Sequence, residues 1–317
     1  MKKTLVKLGV TIAVLLFTIF HFDIDFDLVF NSIQNVYFIF IAVFIPVLIN
    51  PLIGNNRWKF FLKVQGVNEK IGTLIKYNFV SLFMGLALPA TTGSDALRIY
   101  FIEKKHNDYK GRGGASVIIE RLIGFLLLAI LGLVGSIIVS IKTGSDKTIY
   151  ILSIIIVFIL FVFVSLKNRW LFTKISNFLI KVKRFKKVSN YLHSLYQSLN
   201  LFPIKKSLKY TIPLILAFQF STIVCGYLVF LAFAVDLPFY NHLAILPLIQ
   251  IISIIPVSIS GFGIREGSFV YFYRILGVNE NIAFFASLLY FSLLVLTPAL
   301  IGMILYLVDK KEFSRVI

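Results

Sequence analysis

Long apolar runs separated by short polar segments dominate the pattern along this chain. Each run approaches the roughly 17–25 apolar residues that a helix needs to cross about 30 Å of hydrocarbon. The runs are continuous, whereas the strands of a transmembrane barrel alternate apolar and polar residues. The pattern therefore predicts an all-α polytopic integral membrane protein with about six full spans, at residues 5–20, 36–53, 115–141, 149–166, 212–233 and 283–308.

Two further apolar segments, residues 71–103 and 243–276, are interrupted by proline and glycine and resume with charged residues. Proline ends a helix because it donates no backbone hydrogen bond and clashes with the preceding turn, and glycine adopts backbone angles that other residues resist. Such a break inside hydrocarbon is tolerated only where protein or trapped water satisfies the freed backbone groups. The predicted breaking residues are Pro89, Gly93, Pro256, Gly261 and Gly263.

The distribution of lysine and arginine predicts how the segments are oriented. The segment 167–209 carries eleven basic residues and no acidic one, whereas 21–35 carries aspartates and no basic residue. Basic residues accumulate in cytoplasmic loops, and 55–70, 104–112, 167–209 and the tail all lie there only if both broken segments dip into the membrane and return. We therefore expect two re-entrant hairpins, cytoplasmic N- and C-termini, and a bacterial inner or archaeal plasma membrane.

The same layout predicts an internal repeat within one transmembrane domain, residues 1–317. A span, a hairpin and a span make up 36–141, and the same plan returns in the opposite orientation over 212–308. The basic segment 167–209 is then a cytoplasmic linker. Opposed hairpins that meet near the middle of the bilayer are typical of inverted-repeat transporters.

Charged and hydroxyl residues at the two restarts form the candidate site. A charge at this depth is costly unless it is paired or hydrated, and it therefore suggests a function. Helix N-termini beside an arginine also favour an anion such as a phosphate. The predicted binding or translocation residues are Thr92, Ser94, Asp95, Arg98, Glu120, Arg121, Ser260, Arg265 and Glu266. A competing interpretation is that these charges only hold the two hairpins together.

Pairing within this set follows from spacing. Asp95 and Arg98 are three residues apart and share one face of a helix, and Ser94 is a favourable N-cap for the restarted helix. Arg265 and Glu266 are adjacent, so we expect each to find its partner elsewhere. The expected partners are Glu120 and Arg121, which lie early in the span that follows the first broken segment.

Composition narrows the function classes further. The formal charge of +18 is explained by anionic lipid surfaces rather than by nucleic acid, because the basic residues lie between apolar runs. The single cysteine excludes a disulfide framework. The histidines His21, His106, His193 and His242 fall in predicted loops without metal-ligand spacing. No catalytic motif is present, so we expect no cofactor, no metal and no enzymatic activity. We interpret Gly124, Gly132, Gly135 and Ser136 as helix-packing residues.

Several stretches, taken in this order, resemble the transmembrane domain of the lysylphosphatidylglycerol synthase family, a flippase-like domain. They are Asn56-Arg57-Trp58, Leu88-Pro89 through Gly93-Ser94-Asp95 to Arg98, Ser116 to Glu120-Arg121, and Pro256 through Gly261 and Arg265-Glu266 to Leu276-Gly277-Val278. The resemblance implies a domain that moves an aminoacylated phospholipid between leaflets, while a separate soluble domain makes that lipid. Because the chain ends soon after its last span, we expect a stand-alone member without the synthase domain.

The leading hypothesis is therefore a lipid translocase that moves a polar, aminoacylated or glycan-linked lipid during cell-envelope biogenesis. One alternative is an integral-membrane glycosyl or lipid transferase, suggested by Asp23 and Asp25 just after the first span. Another is a non-transporting membrane partner that docks a cytoplasmic or membrane synthase or glycosyltransferase through residues 167–209.

Overall fold

The protein is described by a computed structural model that covers residues 32–86, 93–106, 110–144, 146–168, 170, 174, 186–254, 261–310 and 313. Within these ranges the chain is helical and contains no strand. Several predictions lie outside the described residues. These are the first span at 5–20, the acidic residues Asp23 and Asp25, and the hairpin residues Pro89, Thr92, Pro256 and Ser260.

The helices follow the hydrophobic runs closely. In chain order they are α1 (Val36–Phe44), α2 (Asn50–Val64), α3 (Ile71–Gly85), α4 (Gly93–Lys105), α5 (Arg112–Thr143), α6 (Lys147–Lys167), α7 (Lys186–Asn200), α8 (Ile204–Ala232), α9 (Phe239–Ile252), α10 (Ile264–Ile275), α11 (Glu280–Phe291) and α12 (Thr297–Val308). Two π-helical segments, π1 (Ile45–Ile49) and π2 (Ser292–Leu296), join α1 to α2 and α11 to α12.

Five helices among the described residues are long and apolar enough to cross a membrane: Val36–Val64, Arg112–Thr143, Lys147–Leu166, Ser207–Ala232 and Glu280–Val308. They correspond to five of the six predicted spans, and the sixth prediction lies outside the described residues. The protein is therefore an all-α polytopic membrane protein, as its apolar runs predict.

Several predicted boundaries were too short. The first of these spans does not end at Ile53, because the helix continues to Val64, and most of the predicted loop 55–70 is helical. The segment 167–209 is not a simple loop either, since α7 occupies Lys186–Asn200 and α8 already begins at Ile204. In both places the helix extends through residues whose charge we had assigned to loops.

The two broken segments each form a pair of short helices, α3 with α4 and α9 with α10. None of the four is longer than 15 residues, so each rises at most about 22 Å, less than the roughly 30 Å of a bilayer core. Before α10 begins, Gly261 and Gly263 have positive φ angles of 75° and 85°. Their left-handed backbone is the conformation for which glycine was expected there.

Glycines bring the first hairpin close to α12 and the second hairpin close to α5. A Cβ on Gly302 of α12 would overlap the carbonyl oxygen of Phe79 on α3. A Cβ on Gly135 of α5 would lie 2.5 Å from the backbone nitrogen of Ala244 on α9, and one on Gly132 would lie 2.9 Å from Pro247. Backbones approach this closely only where one side lacks a side chain. The predicted packing role of Gly132 and Gly135 is confirmed.

Candidate functional site

A cavity of about 320 Å³ lies inside the helical bundle, and both hairpins contribute to its wall. The first hairpin supplies Leu82, Gly85, Leu86 and Ser94, and the second supplies Ile249, Gln250, Ser253, Ile254, Arg265 and Phe269. The predicted site residues Ser94, Glu120, Arg121 and Arg265 therefore share one cavity. Gly85 and Ser94 are close enough that a Cβ on Gly85 would lie 2.8 Å from the Ser94 nitrogen.

Ser94 is not at the predicted N-cap position. The helix α4 begins one residue earlier, at Gly93, so Ser94 belongs to its first turn. The charge placement is unaffected, because Asp95 still lies in the first turn, where the helix dipole favours an anion.

Asp95 connects two arginines. Its Oδ1 accepts a hydrogen bond from Arg98 Nη2 at 2.8 Å, which confirms the pairing that their three-residue spacing predicts. Arg121 on α5 donates from Nε to Oδ2 at 2.7 Å and from Nη2 to Oδ1 at 2.9 Å. A bidentate arginine–carboxylate pair of this kind is among the stronger polar contacts in proteins.

Glu120 is held by a residue that the sequence analysis did not include in the site. Arg57 on α2 donates to Glu120 Oε1 from Nε at 3.0 Å and from Nη2 at 2.5 Å. Arg98 lies 3.8 Å from the other carboxylate oxygen of Glu120. The side chains of Arg57, Arg98 and Glu120 are all at most 9% exposed, so these charges depend on one another for neutralisation.

Aromatic rings complete the surroundings of these arginines. The guanidinium of Arg98 lies 4.9 Å from the ring centre of Trp58, and that of Arg57 lies 4.8 Å from the ring of Phe218. Cation–π contacts at these distances favour a charge that has lost its water. They also fix the guanidinium planes next to the cavity.

The prediction for the second hairpin was wrong. Arg265 and Glu266 pair directly, through Arg265 Nη2 and Glu266 Oε1, instead of with Glu120 and Arg121. The reason lies in the start of α10. Glu266 folds back so that its Oε2 accepts the Gly263 backbone N–H at 2.6 Å, and this brings its carboxylate within reach of the long arginine side chain. The Arg265 guanidinium lies 4.1 Å from the ring centre of Phe291.

A second, smaller cavity of about 150 Å³ adjoins the first. Both are lined by Arg57, Leu82, Ser94, Glu120, Arg121, Phe218 and Leu294. The second also reaches Pro46 in π1 and Pro298 in the first turn of α12, just after π2. Arg57, Glu120 and Arg121 therefore lie at the boundary between the two cavities. The smaller cavity is next to segments of irregular helix.

Neutral polar side chains line the larger cavity beside the charges. Gln250 Nε2 donates to the Tyr290 hydroxyl at 3.0 Å, and Gln219 Nε2 donates to the Gly124 carbonyl at 3.1 Å. The sequence analysis missed these residues together with Arg57. The available signal was weak. Gln219 and Gln250 are isolated glutamines in apolar stretches of α8 and α9, and Arg57 is one of several polar residues in α2.

The prediction that His242 lies in a loop was wrong. The residue is fully buried in α9. Its Nδ1 lies 2.8 Å from the Tyr273 hydroxyl on α10, so it joins the two arms of the second hairpin. His193 is also helical, within α7. His193 was assigned to a loop because it lies within the basic segment 167–209, and His242 because it directly precedes the apolar run that starts at Leu243.

Comparison with known proteins matches nearly the whole chain. The family model of the lysylphosphatidylglycerol synthase TM region matches residues 5–302. The chain belongs to this family. A UPF0104 membrane protein of Methanocaldococcus jannaschii is 23% identical over 297 residues, which cover 89% of this chain and 87% of the relative. No solved structure matches the chain.

In this member of the lysylphosphatidylglycerol synthase TM family, the stretches that carried the resemblance converge in space. Arg57, Ser94, Glu120, Arg121 and Arg265 come from four different helices, α2, α4, α5 and α10, and all line the larger cavity. The cavity-lining residues of these stretches therefore lie within the bundle, whereas Asn56 and Gly277 in the same stretches are exposed.

Proposed function

We propose that this protein is a lipid translocase that moves a polar lipid from one leaflet to the other during cell-envelope biogenesis. One observation carries the proposal: a cavity of about 320 Å³ within the bundle is lined by both hairpins and has three arginines and a glutamate among its apolar wall residues. A cavity of this size falls within the roughly 300–1,000 Å³ of small-molecule sites. A headgroup would occupy it while the acyl chains remain in the bilayer.

The chemistry of the wall suits a phospholipid headgroup. Arginine binds phosphate in a planar, bidentate manner, and Gln219, Gln250 and Ser253 supply neutral polar groups at the same wall. Moving a charged headgroup through hydrocarbon without such groups is prohibitively slow, because a charge costs several kcal/mol or more in the bilayer centre. The site would lower that cost by replacing water with fixed polar partners.

Family membership also supports the proposed translocase function. The family model describes the transmembrane region of a synthase whose product is a phospholipid, and the resemblance implies a domain that moves a phospholipid, of this or another headgroup, between leaflets. We further propose the inverted-repeat arrangement of residues 36–141 and 212–308, with both termini in the cytoplasm. The reciprocal close contacts, Gly302 with Phe79 and Gly135 with Ala244, support it.

Neither alternative receives comparable support. The acidic pair that suggested a transferase lies outside the described residues. The helix α7 packs its apolar side against this chain, where Leu195 and Leu199 join the cluster around Phe61, and the Tyr191 hydroxyl donates to Glu103 at 3.2 Å. That face of the linker is therefore already occupied and is not free to hold a synthase.

The proposal is tested with the purified full chain in vesicles that carry acyl-labelled fluorescent phospholipids. An impermeant quencher removes signal from the outer leaflet, so translocation appears as additional quenching over time. We expect transport by the wild type, and at least about tenfold slower transport after Arg98→Ala or Glu266→Ala. Arg274→Ala, an exposed position on α10, is the matched control and is expected to transport normally.

Absence of transport by the wild type for every lipid, in vesicles that contain folded protein, would contradict the proposal. Normal transport by both Arg98→Ala and Glu266→Ala would instead show that these two residues are not required for translocation. In that case their charges would serve only to hold the hairpins together.

A further inference from the structure

The charged groups of the first hairpin and of its neighbours α2 and α5 do not balance. Three guanidinium groups, of Arg57, Arg98 and Arg121, face two carboxylates, of Asp95 and Glu120. The second hairpin is neutral, because Arg265 pairs with Glu266. The segments 87–92 and 255–260, which complete the two hairpins, contain no charged residue in the sequence. When Glu266, the partner of Arg265, is counted with the described charged residues that line the two cavities, one positive charge is in excess.

The excess charge is available to a ligand at one position. Arg57 and Arg98 are nearly enclosed, with side chains 9% and 7% exposed, whereas the Arg121 side chain is 45% exposed. Arg121 bonds to Asp95 through Nε and Nη2, so Nη1 is not used in that pair, and the side chain lines the cavity. An uncompensated charge within the membrane is unfavourable, so an anion that enters this cavity is attracted to it.

A second arginine of the same cavity, Arg265, has one donor atom without a hydrogen-bond partner. Arg265 is 7% exposed and lines the cavity, and its Nε has no hydrogen-bond partner. A buried donor without a partner costs about 1–3 kcal/mol, or more when it is charged. An acceptor oxygen from a ligand would recover that energy. Ser94, in the first turn of α4, adds a hydroxyl at the same wall.

We infer that the cavity selects lipids whose headgroup carries one net negative charge, a phosphodiester without a cationic substituent, with the phosphate facing Arg121 and Arg265. The inference rests on the proposed translocase function and narrows its substrate class. An aminoacylated headgroup would bring its own positive charges to a site that already has one in excess. A zwitterionic headgroup would leave that excess uncompensated.

The first test measures transport of three labelled lipids in vesicles of phosphatidylcholine: phosphatidylglycerol, phosphatidylcholine and lysyl-phosphatidylglycerol. We expect phosphatidylglycerol to move at least about tenfold faster than the other two. Equal rates, or a preference for the cationic lipid, would overturn the inference and leave the translocase function intact.

The second test measures binding without transport. Each lipid is added to the detergent-solubilised full chain, and the shift in its unfolding temperature is recorded. We expect a larger shift with phosphatidylglycerol, since a ligand that binds the folded state stabilises it. A selective shift without any vesicle transport would support the headgroup preference and contradict the translocase function. Equal shifts would overturn the preference whatever the transport assay shows.

Inorganic phosphate distinguishes a lipid site from a site for free anions. We expect the shift with phosphatidylglycerol to persist in a large molar excess of inorganic phosphate, because the acyl chains contribute to binding. An equal stabilisation by inorganic phosphate alone, with loss of the lipid effect in its presence, would overturn the lipid assignment.

Two variants locate the preference within the cavity. Arg121→Gln removes the excess charge and leaves Asp95 paired with Arg98, so the fold should be retained. The double variant Arg265→Gln with Glu266→Gln removes a neutral pair and its unpartnered donor. We expect each to reduce the preference for phosphatidylglycerol at least about fivefold, and Arg274→Gln on the surface of α10 to leave it unchanged. An unaltered preference in a folded Arg121→Gln protein would overturn the assignment.

Discussion

The carboxylate of Asp95 on α4 accepts two hydrogen bonds from Arg121 on α5, at 2.7 and 2.9 Å. Since α4 is the returning arm of the first hairpin and α5 is the span that follows it, this pair ties the hairpin to the body of the bundle. The same carboxylate also accepts from Arg98 at 2.8 Å. One acidic side chain therefore accepts hydrogen bonds from two guanidinium groups and neutralises the charge of only one.

Asp95→Asn is expected to lower the free energy of unfolding by about 3 kcal/mol. The value lies at the lower end of the roughly 3–5 kcal/mol for breaking a buried ion pair, because Arg121 is partly exposed. Denaturant unfolding in detergent measures it. The matched control is Asp309→Asn, which removes a more exposed partner of Lys76 and should cost less than about 1 kcal/mol. Similar losses in both variants would contradict the buried role of Asp95.

Gly302→Ala is expected to destabilise the protein by about 1–3 kcal/mol, the usual cost of overpacking. The added methyl group would overlap the carbonyl oxygen of Phe79, which is backbone and cannot turn away as a side chain would. Gly72→Ala on α3 is the control, because nothing lies within 4 Å of its Cβ position. That change should be neutral or stabilise the helix by up to about 1 kcal/mol. A neutral Gly302→Ala would show that α3 and α12 do not touch.

The environment of Glu69, in the loop between α2 and α3, makes the stability of the folded protein depend on pH. Burial alone would raise the pKa of its carboxyl, but hydrogen bonds from Lys105, His106 and the Lys70 amide outweigh this and hold the pKa below its ordinary value of 4.5. Lys105 Nζ lies 2.9 Å away and His106 Nε2 3.0 Å. A lowered pKa in the folded state means that Glu69 stabilises the protein above pH 4.5 and loses this effect as the pH falls through the lower, folded value.

Wild type and Glu69→Gln are therefore expected to differ most in unfolding temperature near neutral pH and to converge as the pH falls below 4.5. The comparison cancels the acid sensitivity of the remaining carboxylates. The control is Glu280→Gln, which removes the partner of exposed Arg274. Its free energy of unfolding should differ from that of the wild type by less than about 1 kcal/mol. A difference between wild type and Glu69→Gln that does not change with pH would contradict the lowered pKa.

The sequence predicted best those features that depend on local spacing. Asp95 and Arg98 pair because three residues along a helix return to the same face, and Gly261 and Gly263 take the positive φ angles that only glycine adopts easily. The apolar runs predicted the spans because crossing hydrocarbon requires a minimum length whatever the neighbours are.

Contacts between distant helices were harder to predict. Arg57 was assigned to a cytoplasmic loop because positive charge outside a span is the common case, and nothing local indicated that α2 continues and brings it to Glu120. Arg265 and Glu266 were expected to seek distant partners, since adjacent helical residues point apart. That geometry fails at a helix start, where the carboxylate of Glu266 turns back to the Gly263 N–H.

A cysteine at Ser94 tests the depth and access of the cavity directly. The single native cysteine, Cys225, is fully buried and is first replaced by alanine. Ser94 is partly exposed to the cavity, so Ser94→Cys should react with an impermeant, negatively charged thiol reagent. Ser136→Cys, at a fully buried position on α5, should react at least about tenfold more slowly, because thiolate formation requires water.

The side from which the reagent reaches Ser94→Cys tests the re-entrant arrangement. If the first hairpin dips in from the cytoplasm and returns, the reaction should depend on which face of the membrane the reagent contacts. Phosphatidylglycerol should slow it, since the headgroup would occupy the same wall. Reaction as fast as at exposed Lys142→Cys, at the end of α5, would place Ser94 on the surface. The hairpins would then not meet at a cavity, and the translocase proposal would lose its central observation.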